Sequence, residues 1–307
     1  MKKRKWNLLL MAACLLAALT ACRNAEKPFE KLPKTDPDLL WSYAVRSVGF
    51  VPRHSGSEAI VRYGNWIAET ARESSFPVTE QRFTQRTPGG EIPFRNIVVT
   101  VPGKSSSWVL VGAHYDAKKF LTVRDFQAAN DGASGVAALL GMIHALRQYG
   151  EKPPVTIRFV FFDGEECLFS YSPGDGLHGS RKAAQLWADN GDLKKCKGMI
   201  LLDMVGDKEL NFTLPRNTSE VFRKAFTETV RNHFRDLPYR MLPYDILDDH
   251  VPFLEKKIPV IDLIDFEYGP NNSYWHTAAD TLDKISPHSI ALAADLAFGL
   301  IWKAASF

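Results

Sequence analysis

The chain has 307 residues, of which 45% are apolar, enough for one large domain or two small ones with a sizeable core. This composition excludes a disordered chain, a collagen and a small disulfide scaffold. Four of the 38 Lys and Arg residues lie within the first five positions, and without them 34 basic residues face 35 acidic ones. A chain with no overall positive field has no electrostatic basis for binding nucleic acid, so we expect no nucleic-acid partner.

The amino terminus is predicted to be an export signal. Its basic start precedes an apolar stretch at residues 8–19, which is too short for a spanning helix. Leu19-Thr20-Ala21-Cys22 then resembles the lipobox of bacterial lipoproteins, in which the cysteine is acylated. The alternatives are an ordinary cleaved signal and an uncleaved anchor. We expect residues 1–21 to be removed and Cys22 to carry lipid, which stabilises membrane attachment by about 0.8 kcal/mol per buried methylene.

Residues 22–38 are predicted to be a polar tether, because Pro, Lys and Asp are mixed there. The remaining chain is then exported and held in the bacterial cell envelope, on the periplasmic side or on the outer surface. Cys14 leaves with the signal, so Cys167 and Cys196 are the cysteines of the folded part. Pairing of these two and two separate thiols are both compatible with the sequence, and the absence of CxxC argues against a redox or thiolate-zinc motif.

Residues 39–307 are predicted to form a single domain, since they contain no internal repeat, low-complexity tract or linker. Runs of β-branched and aromatic residues predict strands, and apolar residues three or four positions apart predict helices. In chain order we expect helices at 38–50 and 56–74, strands at 94–101 and 108–113, a helix with Val136, Leu140, Ile143 and Leu146 on one face, strands at 155–162 and 199–205, a helix with Val221, Ala225 and Val230 on one face, a strand at 258–264, and a helix at 286–304.

Several of these strands are apolar almost without interruption. That pattern is typical of a sheet covered by helices on both faces. The fold class is therefore predicted to be α/β, a three-layer sandwich with a mixed, largely parallel central sheet. Ligands in such folds bind at the carboxyl ends of the strands. Candidate metal ligands follow the predicted strands or start the helix after one, and they are His114, Asp131, Glu165, Glu166, Asp203 and His276.

Each of these residues alone has an ordinary structural explanation. An aspartate before Gly132 is often a helix cap, and a pair of glutamates is usually a solvated loop. A carboxylate between Leu202 and Met204, however, costs several kcal/mol unless it is paired, hydrogen-bonded or metal-bound. Catalytic zinc takes three ligands from His, Asp and Glu and leaves one position open. The HExxH, GxSxG, P-loop and GxGxxG motifs are absent, so a metal site at the strand ends is the favoured interpretation.

The order and spacing of these motifs resemble the zinc aminopeptidase-like family M28 over roughly residues 40–303. Three further segments, at residues 172–181, 248–254 and Trp275, favour its glutaminyl-peptide cyclotransferase branch. The motifs that carry the family resemblance are His114-Tyr115-Asp116, Asn130-Asp131-Gly132-Ala133-Ser134-Gly135, Phe161-Phe162-Asp163-Gly164-Glu165-Glu166, Leu201-Leu202-Asp203 and Trp275-His276-Thr277.

The resemblance implies that Asp131, Glu166 and His276 bind one Zn²⁺. It also implies that Glu165 is the general acid and base. Asp203 and Asp248 would form an acidic hydrogen-bonded pair beside it, and Trp275 would be a wall of the substrate pocket. Tyr171 stands where the animal enzymes have a pocket tryptophan, and His114 matches the position that binds a second zinc in dinuclear aminopeptidases. The number of metal ions, one or two, stays open.

The activity implied is cyclisation of N-terminal glutamine to pyroglutamate with release of ammonia, on peptides or proteins, by a monomer. One alternative is a zinc aminopeptidase, in which Glu165 activates a metal-bound water. Another is a non-catalytic binding protein of the envelope. Such a protein usually lacks metal ligands or the catalytic base. Here the three implied ligands and the implied base are all present, namely Asp131, Glu166, His276 and Glu165.

Overall fold

A computed structural model of the protein describes residues 29–123 and 125–307. The predicted signal, Cys22 and residues 23–28 of the predicted tether lie outside the described residues. A 3-10 helix at Phe29–Lys31 is the described element of the amino-terminal part, and Pro33–Phe307 form a separate compact unit. The first helix of that unit begins at Pro37, within the range expected to be tether. In the part of the chain that the structure describes, every helix is too short or too polar to cross a bilayer.

Seven α-helices and eight strands are described. The helices are α1 Pro37–Val48, α2 Glu58–Glu73, α3 Ala133–Tyr149, α4 His178–Asp189, α5 Glu220–His233, α6 Val251–Glu255 and α7 Pro287–Ala304. The strands are β1 Val78–Thr87, β2 Gly90–Val101, β3 Trp108–His114, β4 Thr156–Phe162, β5 Cys196–Asp203, β6 Phe212–Leu214, β7 Tyr239–Met241 and β8 Val260–Ile264. Further 3-10 helices lie at Asp192–Lys195, Pro270–Asn272 and Leu282–Lys284.

The central sheet has six strands in the order β1-β2-β4-β3-β5-β8. Strands β3, β4, β5 and β8 are parallel, whereas β1 and β2 add an antiparallel edge. This arrangement confirms the predicted mixed, largely parallel sheet. Strand β1 was not predicted, because its sequence VTEQRFTQRT is mostly polar and most of its residues are partly exposed at the edge of the sheet.

Helices cover both faces of the sheet, as the apolar strands predicted. Along β3, Val109 and Val111 contribute to the core beneath α1, α2, α3, α5 and α7, while Trp108 and Leu110 contribute to the core beneath α4 and α6. The alternation follows from the two-residue period of a strand. The face predicted for α5 was partly wrong, because Val221 is exposed there.

The sheet topology brings the functional strand ends together. β3 lies between β4 and β5, and the three strands run in the same direction. His114 is therefore level with Phe162 at the end of β4, and Asp203 ends β5 on the other side. Strand β4 is added on one side of β3, and the next strand, β5, is added on the other side. Such a reversal of strand order is the place where open α/β sheets bind their ligands.

Candidate metal centre and active site

The turn before α3 presents Asp131 to the carboxyl edge of the sheet. Asp280 accepts hydrogen bonds from the backbone N–H groups of Asn130 (2.8 Å) and Asp131 (3.1 Å). Gly132 has φ +101°, and a Cβ there would lie 2.9 Å from the carbonyl oxygen of Asp116. Gly132 is also the N-cap of α3, with no side-chain cap hydrogen bond. The Asp131 carboxylate is therefore not the helix cap that the sequence allowed, and it faces the ligand groups instead.

Asp131, Glu166 and His276 converge on one point, with ligand atoms all within 4.8 Å of one another. His276 Nε2 lies 2.9 Å from Glu166 Oε1 and 3.2 Å from Asp131 Oδ2. One ring nitrogen carries a single hydrogen at most and cannot satisfy two carboxylates by donation. A nitrogen and two carboxylate oxygens around a common position suit a divalent cation, and this donor set fits zinc.

A second group shares Asp131 with the first. His114 Nε2 lies 3.2 Å from Asp131 Oδ1 and 3.2 Å from Asp203 Oδ1. The two oxygens of Asp131 thus serve one group each, which is the arrangement of a bridging carboxylate. The residues present therefore suit one cation or two.

The electrostatics of both groups favour positive charge. Burial alone lowers the pKa of His114, but hydrogen bonding to Asp116, Asp131 and Asp203 raises it well above the usual histidine range. Burial also opposes the charged form of His276, yet Asp131 and Glu166 raise its pKa to about 10. Carboxylates packed this closely need a positive partner, whether a proton or a metal ion.

Glu165 and Glu166 are adjacent, and their side chains share one partner and differ in the other. The Tyr171 hydroxyl lies 3.1 Å from Glu165 Oε1 and 3.5 Å from Glu166 Oε2, but only Glu166 lies in the first metal group, in contact with His276. Burial, followed by the charge of Asp248, raises the pKa of Glu165 well above its usual range. Glu165 therefore lies outside the first metal group, and its raised pKa suits a side chain that exchanges a proton.

Asp116 holds both glutamates in position. Its two carboxylate oxygens accept the backbone N–H groups of Glu165 and Glu166, each at 3.1 Å, and the side chain is completely buried. Sequence reasoning assigned no role to Asp116. The available signal was a carboxylate at a strand end, two residues after His114, where burial is expensive without hydrogen-bond donors.

The acidic pair differs from its prediction. Asp203 interacts with His114, while Asp248 accepts the backbone N–H of Asp249 at 2.5 Å and its Oδ2 has no hydrogen-bond partner. The expected hydrogen bond between Asp203 and Asp248 is therefore not formed. The two carboxylates interact through charge, since burial, Asp262 and then Asp203 raise the pKa of Asp248.

Asp248, His250 and Asp262 form a third compact group, but its histidine does not suit a metal. Asn217 Nδ2 donates to Ile246 O and to His250 Nε2, each at 2.9 Å. Since Nε2 accepts, the hydrogen of the neutral ring is on Nδ1, which lies 3.6 Å from Asp262 Oδ2. Burial lowers the pKa of His250 to about 3, so the ring is neutral and has no free lone pair for a cation.

A cavity of about 230 Å³ opens above the first metal group. Trp275 stacks on His276 with ring centres 4.1 Å apart and meets Phe266 edge to face. Tyr171 lies on the cavity lining too, so both predicted wall residues are there. The predicted site residues on the lining are Asp131, Glu165, Glu166, Tyr171, Asp203, Asp248, Trp275 and His276.

The remaining predicted residues lie elsewhere. His114 is buried beneath the cavity, in contact with Asp131. Cys22 is outside the described residues. Cys167 and Cys196 are both free, so the two separate thiols are the alternative that the structure has. Supporting residues that sequence reasoning missed are Asp116, Asn217, Asp262 and Asp280.

Comparison with known proteins agrees with this geometry. The profile of peptidase family M28 matches residues 96–301. A glutaminyl-peptide cyclotransferase-like protein of Bos taurus is 30% identical over 83% of this chain and 72% of its own length. The crystal structure of an Acidobacteriales bacterium glutaminyl cyclase has a TM-score of 0.82 and 32% identity, covering 91% of this chain and 96% of the other. That of Porphyromonas gingivalis glutaminyl cyclase has a TM-score of 0.76 and 25% identity, covering 87% and 98%.

Proposed function

The chain belongs to peptidase family M28, and we propose that it is a zinc-dependent glutaminyl-peptide cyclotransferase. Its substrates would be peptides or proteins that begin with glutamine, and its products pyroglutamate and ammonia. The observation that carries the proposal is the placement of Glu165. It lies beside the Asp131, Glu166 and His276 group but bonds to Tyr171, inside a cavity with aromatic walls.

In this reaction the α-amine of the terminal glutamine attacks its own γ-amide carbonyl. Asp131, Glu166 and His276 would hold the zinc ion, which would supply a Lewis acid for that carbonyl. Glu165 takes a proton from the attacking amine and returns it to the leaving nitrogen, so the products are the lactam and ammonia. General acid–base help of this kind contributes about 10²–10⁴ in rate.

The cavity supports ring closure by its size and lining. The volume is about 230 Å³, and the rings of Trp275 and Phe266 give the lining an apolar part that would shield the reacting carbonyl from bulk water. No lysine or arginine is on the described lining, which is acidic and attracts a terminal ammonium group. Positioning the two reacting groups of one residue corresponds to an effective molarity of about 10⁵ M or more.

A second candidate function rests on the His114, Asp131 and Asp203 group. If that group binds a second zinc, Glu165 can instead activate a water molecule for hydrolysis of the first peptide bond, as in an aminopeptidase. Both groups share Asp131, so the metal count of the purified protein bears on this choice. Cyclisation predicts that a Gln-initiated peptide loses the mass of ammonia, whereas hydrolysis predicts that a Leu-initiated peptide loses its first residue.

Two substitutions test the roles within the site. We expect Glu165→Gln to abolish pyroglutamate formation while the zinc content stays near wild type, because the side chain is not a ligand. His276→Ala should lower the zinc content, because it removes a ligand atom. Turnover by Glu165→Gln at the wild-type rate would reject Glu165 as the proton carrier. The measurements are metal analysis of the purified proteins and mass spectrometry of the peptide product.

We further infer that the enzyme is anchored in the bacterial envelope through Cys22. Support comes from the sequence pattern alone, because the basic start, the apolar stretch and Leu19-Thr20-Ala21-Cys22 together match a lipoprotein signal. The membrane contact would then be made by acyl chains and not by the folded unit.

A further inference from the structure

Lys118 contacts both Cys167 and Glu166, one of the residues proposed to bind the metal. Lys118 Nζ donates to the backbone carbonyl of Cys167 at 2.8 Å and lies 3.4 Å from Glu166 Oε2. It also lies 5.5 Å from the centre of the Tyr171 ring. Three partners around one ammonium group fix its position, and the lysine side chain is only 14% exposed.

The same nitrogen is 2.8 Å from Cys167 Sγ, and Cys167 is buried. Hydrogen bonds from N–H to oxygen span about 2.7–3.2 Å, and those to the larger sulfur atom are longer. The Lys118–Cys167 distance is therefore short for a hydrogen bond to sulfur. A single oxygen atom bonded to both nitrogen and sulfur spans a gap of this size with little movement of either side chain.

We propose that Lys118 and Cys167 are a redox modification site, at which an oxidant joins them through a nitrogen–oxygen–sulfur bridge. With dioxygen, the S–H bond and two N–H bonds of the ammonium group break, and S–O and N–O bonds form. The second oxygen atom leaves as water and one proton is released. Sulfur and nitrogen each lose two electrons, which accounts for the four that reduce dioxygen.

A second cavity borders this pair. Lys118 lies on the lining of that cavity, which has a volume of about 300 Å³ and also includes Arg53, His54 and Phe120. A small oxidant in that cavity would lie next to Lys118 without entering the substrate cavity. Cys196 differs from Cys167, because its thiol interacts with the carbonyl oxygen of Gly198 at 3.6 Å. It therefore provides an internal control for cysteine oxidation in general.

The test is the mass of the purified full-length protein after exposure to oxygenated buffer or dilute hydrogen peroxide. We expect a species one oxygen heavier and two hydrogens lighter, reversed by dithiothreitol. Peptide mapping should join the Lys118 and Cys167 peptides. The species should be absent in Cys167→Ala and in Lys118→Arg, and present in Cys196→Ala. It should also fail to form when the wild-type protein is oxidised in urea, because the link depends on the folded geometry.

Other outcomes would overturn the proposal. These are an unchanged mass, two or three oxygens on Cys167 without a link to Lys118, or loss of two hydrogens alone, which indicates a direct nitrogen–sulfur bond. A link that forms equally well in urea would also overturn it. The measurement is independent of turnover, so it does not depend on the proposed function.

Discussion

The adjacent glutamates at the end of β4 have different surroundings, which fit the separate roles proposed for them. Burial and then the charge of Asp131 raise the pKa of Glu166, and the neighbouring His276 and Lys118 oppose that rise. Glu165 faces the Tyr171 hydroxyl and the charge of Asp248, and burial keeps its pKa high. A ligand must stay ionised, whereas a proton carrier must change state near neutral pH. The positive groups beside Glu166 fit the proposed role of ligand, and the negative charge of Asp248 beside Glu165 fits the proposed role of proton carrier.

Tyr171→Phe tests the hydrogen bond to Glu165. The tyrosine donates to Glu165, the proposed proton carrier, and hydrogen bonds to charged groups are worth about 1.5–3 kcal/mol. We expect kcat to fall roughly 10- to 100-fold, with a smaller change in KM because the aromatic wall remains. Tyr244→Phe is the matched control, since Tyr244 lines the same cavity. Equal effects of the two substitutions would show that the Tyr171 hydroxyl has no special role.

At the scale of elements, the site depends on how closely α3 approaches the sheet. A Cβ at Gly135 would lie 2.5 Å from the carbonyl oxygen of Leu202 and 2.9 Å from Cβ of Ala113. Leu202 precedes Asp203 and Ala113 precedes His114, while α3 follows Asp131. The helix–sheet distance at Gly135 therefore sets the separation of the three residues of the second metal group.

Gly135→Ala should destabilise the protein. In the interior of a helix alanine is normally more stable than glycine by about 1 kcal/mol, so the expected sign is the opposite of the usual one. The added methyl group must displace backbone, and overpacking of this kind costs about 1–3 kcal/mol. We also expect weaker zinc binding, measured by titration, together with a lower midpoint of unfolding. Gly174→Ala is the control, because nothing lies within 4 Å of a Cβ there. A more stable Gly135→Ala protein would contradict the packing argument.

At the scale of the whole molecule, carboxylates are concentrated beneath the carboxyl edge of the sheet. Burial, followed by the charge of Asp116, raises the pKa of Asp163 to about 8. In the unfolded chain an aspartate titrates near pH 4, so the folded state retains a proton that the unfolded state has lost. The contribution of Asp163 to stability is therefore complete below about pH 4 and is lost as pH rises toward 8.

Asp163→Asn should remove that part of the pH dependence, because the amide stays neutral. Between pH 5 and pH 8 we expect the melting temperature of the variant to fall less than that of the wild type. A difference of about 1 kcal/mol corresponds to roughly 2–4 °C for a domain of this size. Asp283→Asn is the control, since Lys284 and Thr281 lower the pKa of Asp283 to about 2, outside the window. Parallel curves for Asp163→Asn and wild type would refute the assignment.

The proposed envelope anchor also concerns the molecule as a whole. Cys22→Ser removes the thiol that we propose to be acylated, so we expect the protein to move from the membrane fraction to the soluble one. Detergent-phase partitioning and mass spectrometry of the amino-terminal peptide measure the change. Cys14→Ser is the matched control, because it lies within the segment expected to be removed. A wild-type protein without lipid would contradict the anchor.

Local patterns were enough to predict much of the fold and of the site. Uninterrupted apolar strands predicted a covered, largely parallel sheet, because each strand face needs an apolar partner. The carboxyl ends of parallel strands meet at one edge, so His114, Glu165, Glu166 and Asp203 were expected together. Asp131 and His276 were candidates from the same pattern. The family resemblance then implied Asp131, Glu166 and His276 as the ligand set, and the structure brings these three together in the first metal group.

Tertiary structure alone decided how those residues share their partners. Three features depend on atoms far apart in the chain. They are the position of Asp131 between the two metal groups, the hydrogen bonds from the backbone of both glutamates to Asp116, and the tautomer of His250. The same holds for the proximity of Lys118 to Cys167. The spacing of apolar residues along a helix or strand predicts which side chains are buried, because burial follows from local geometry. It does not predict the distances between segments. Those distances arise when the layers pack, and hydrogen bonds and metal ligation depend on them at the scale of a few tenths of an ångström.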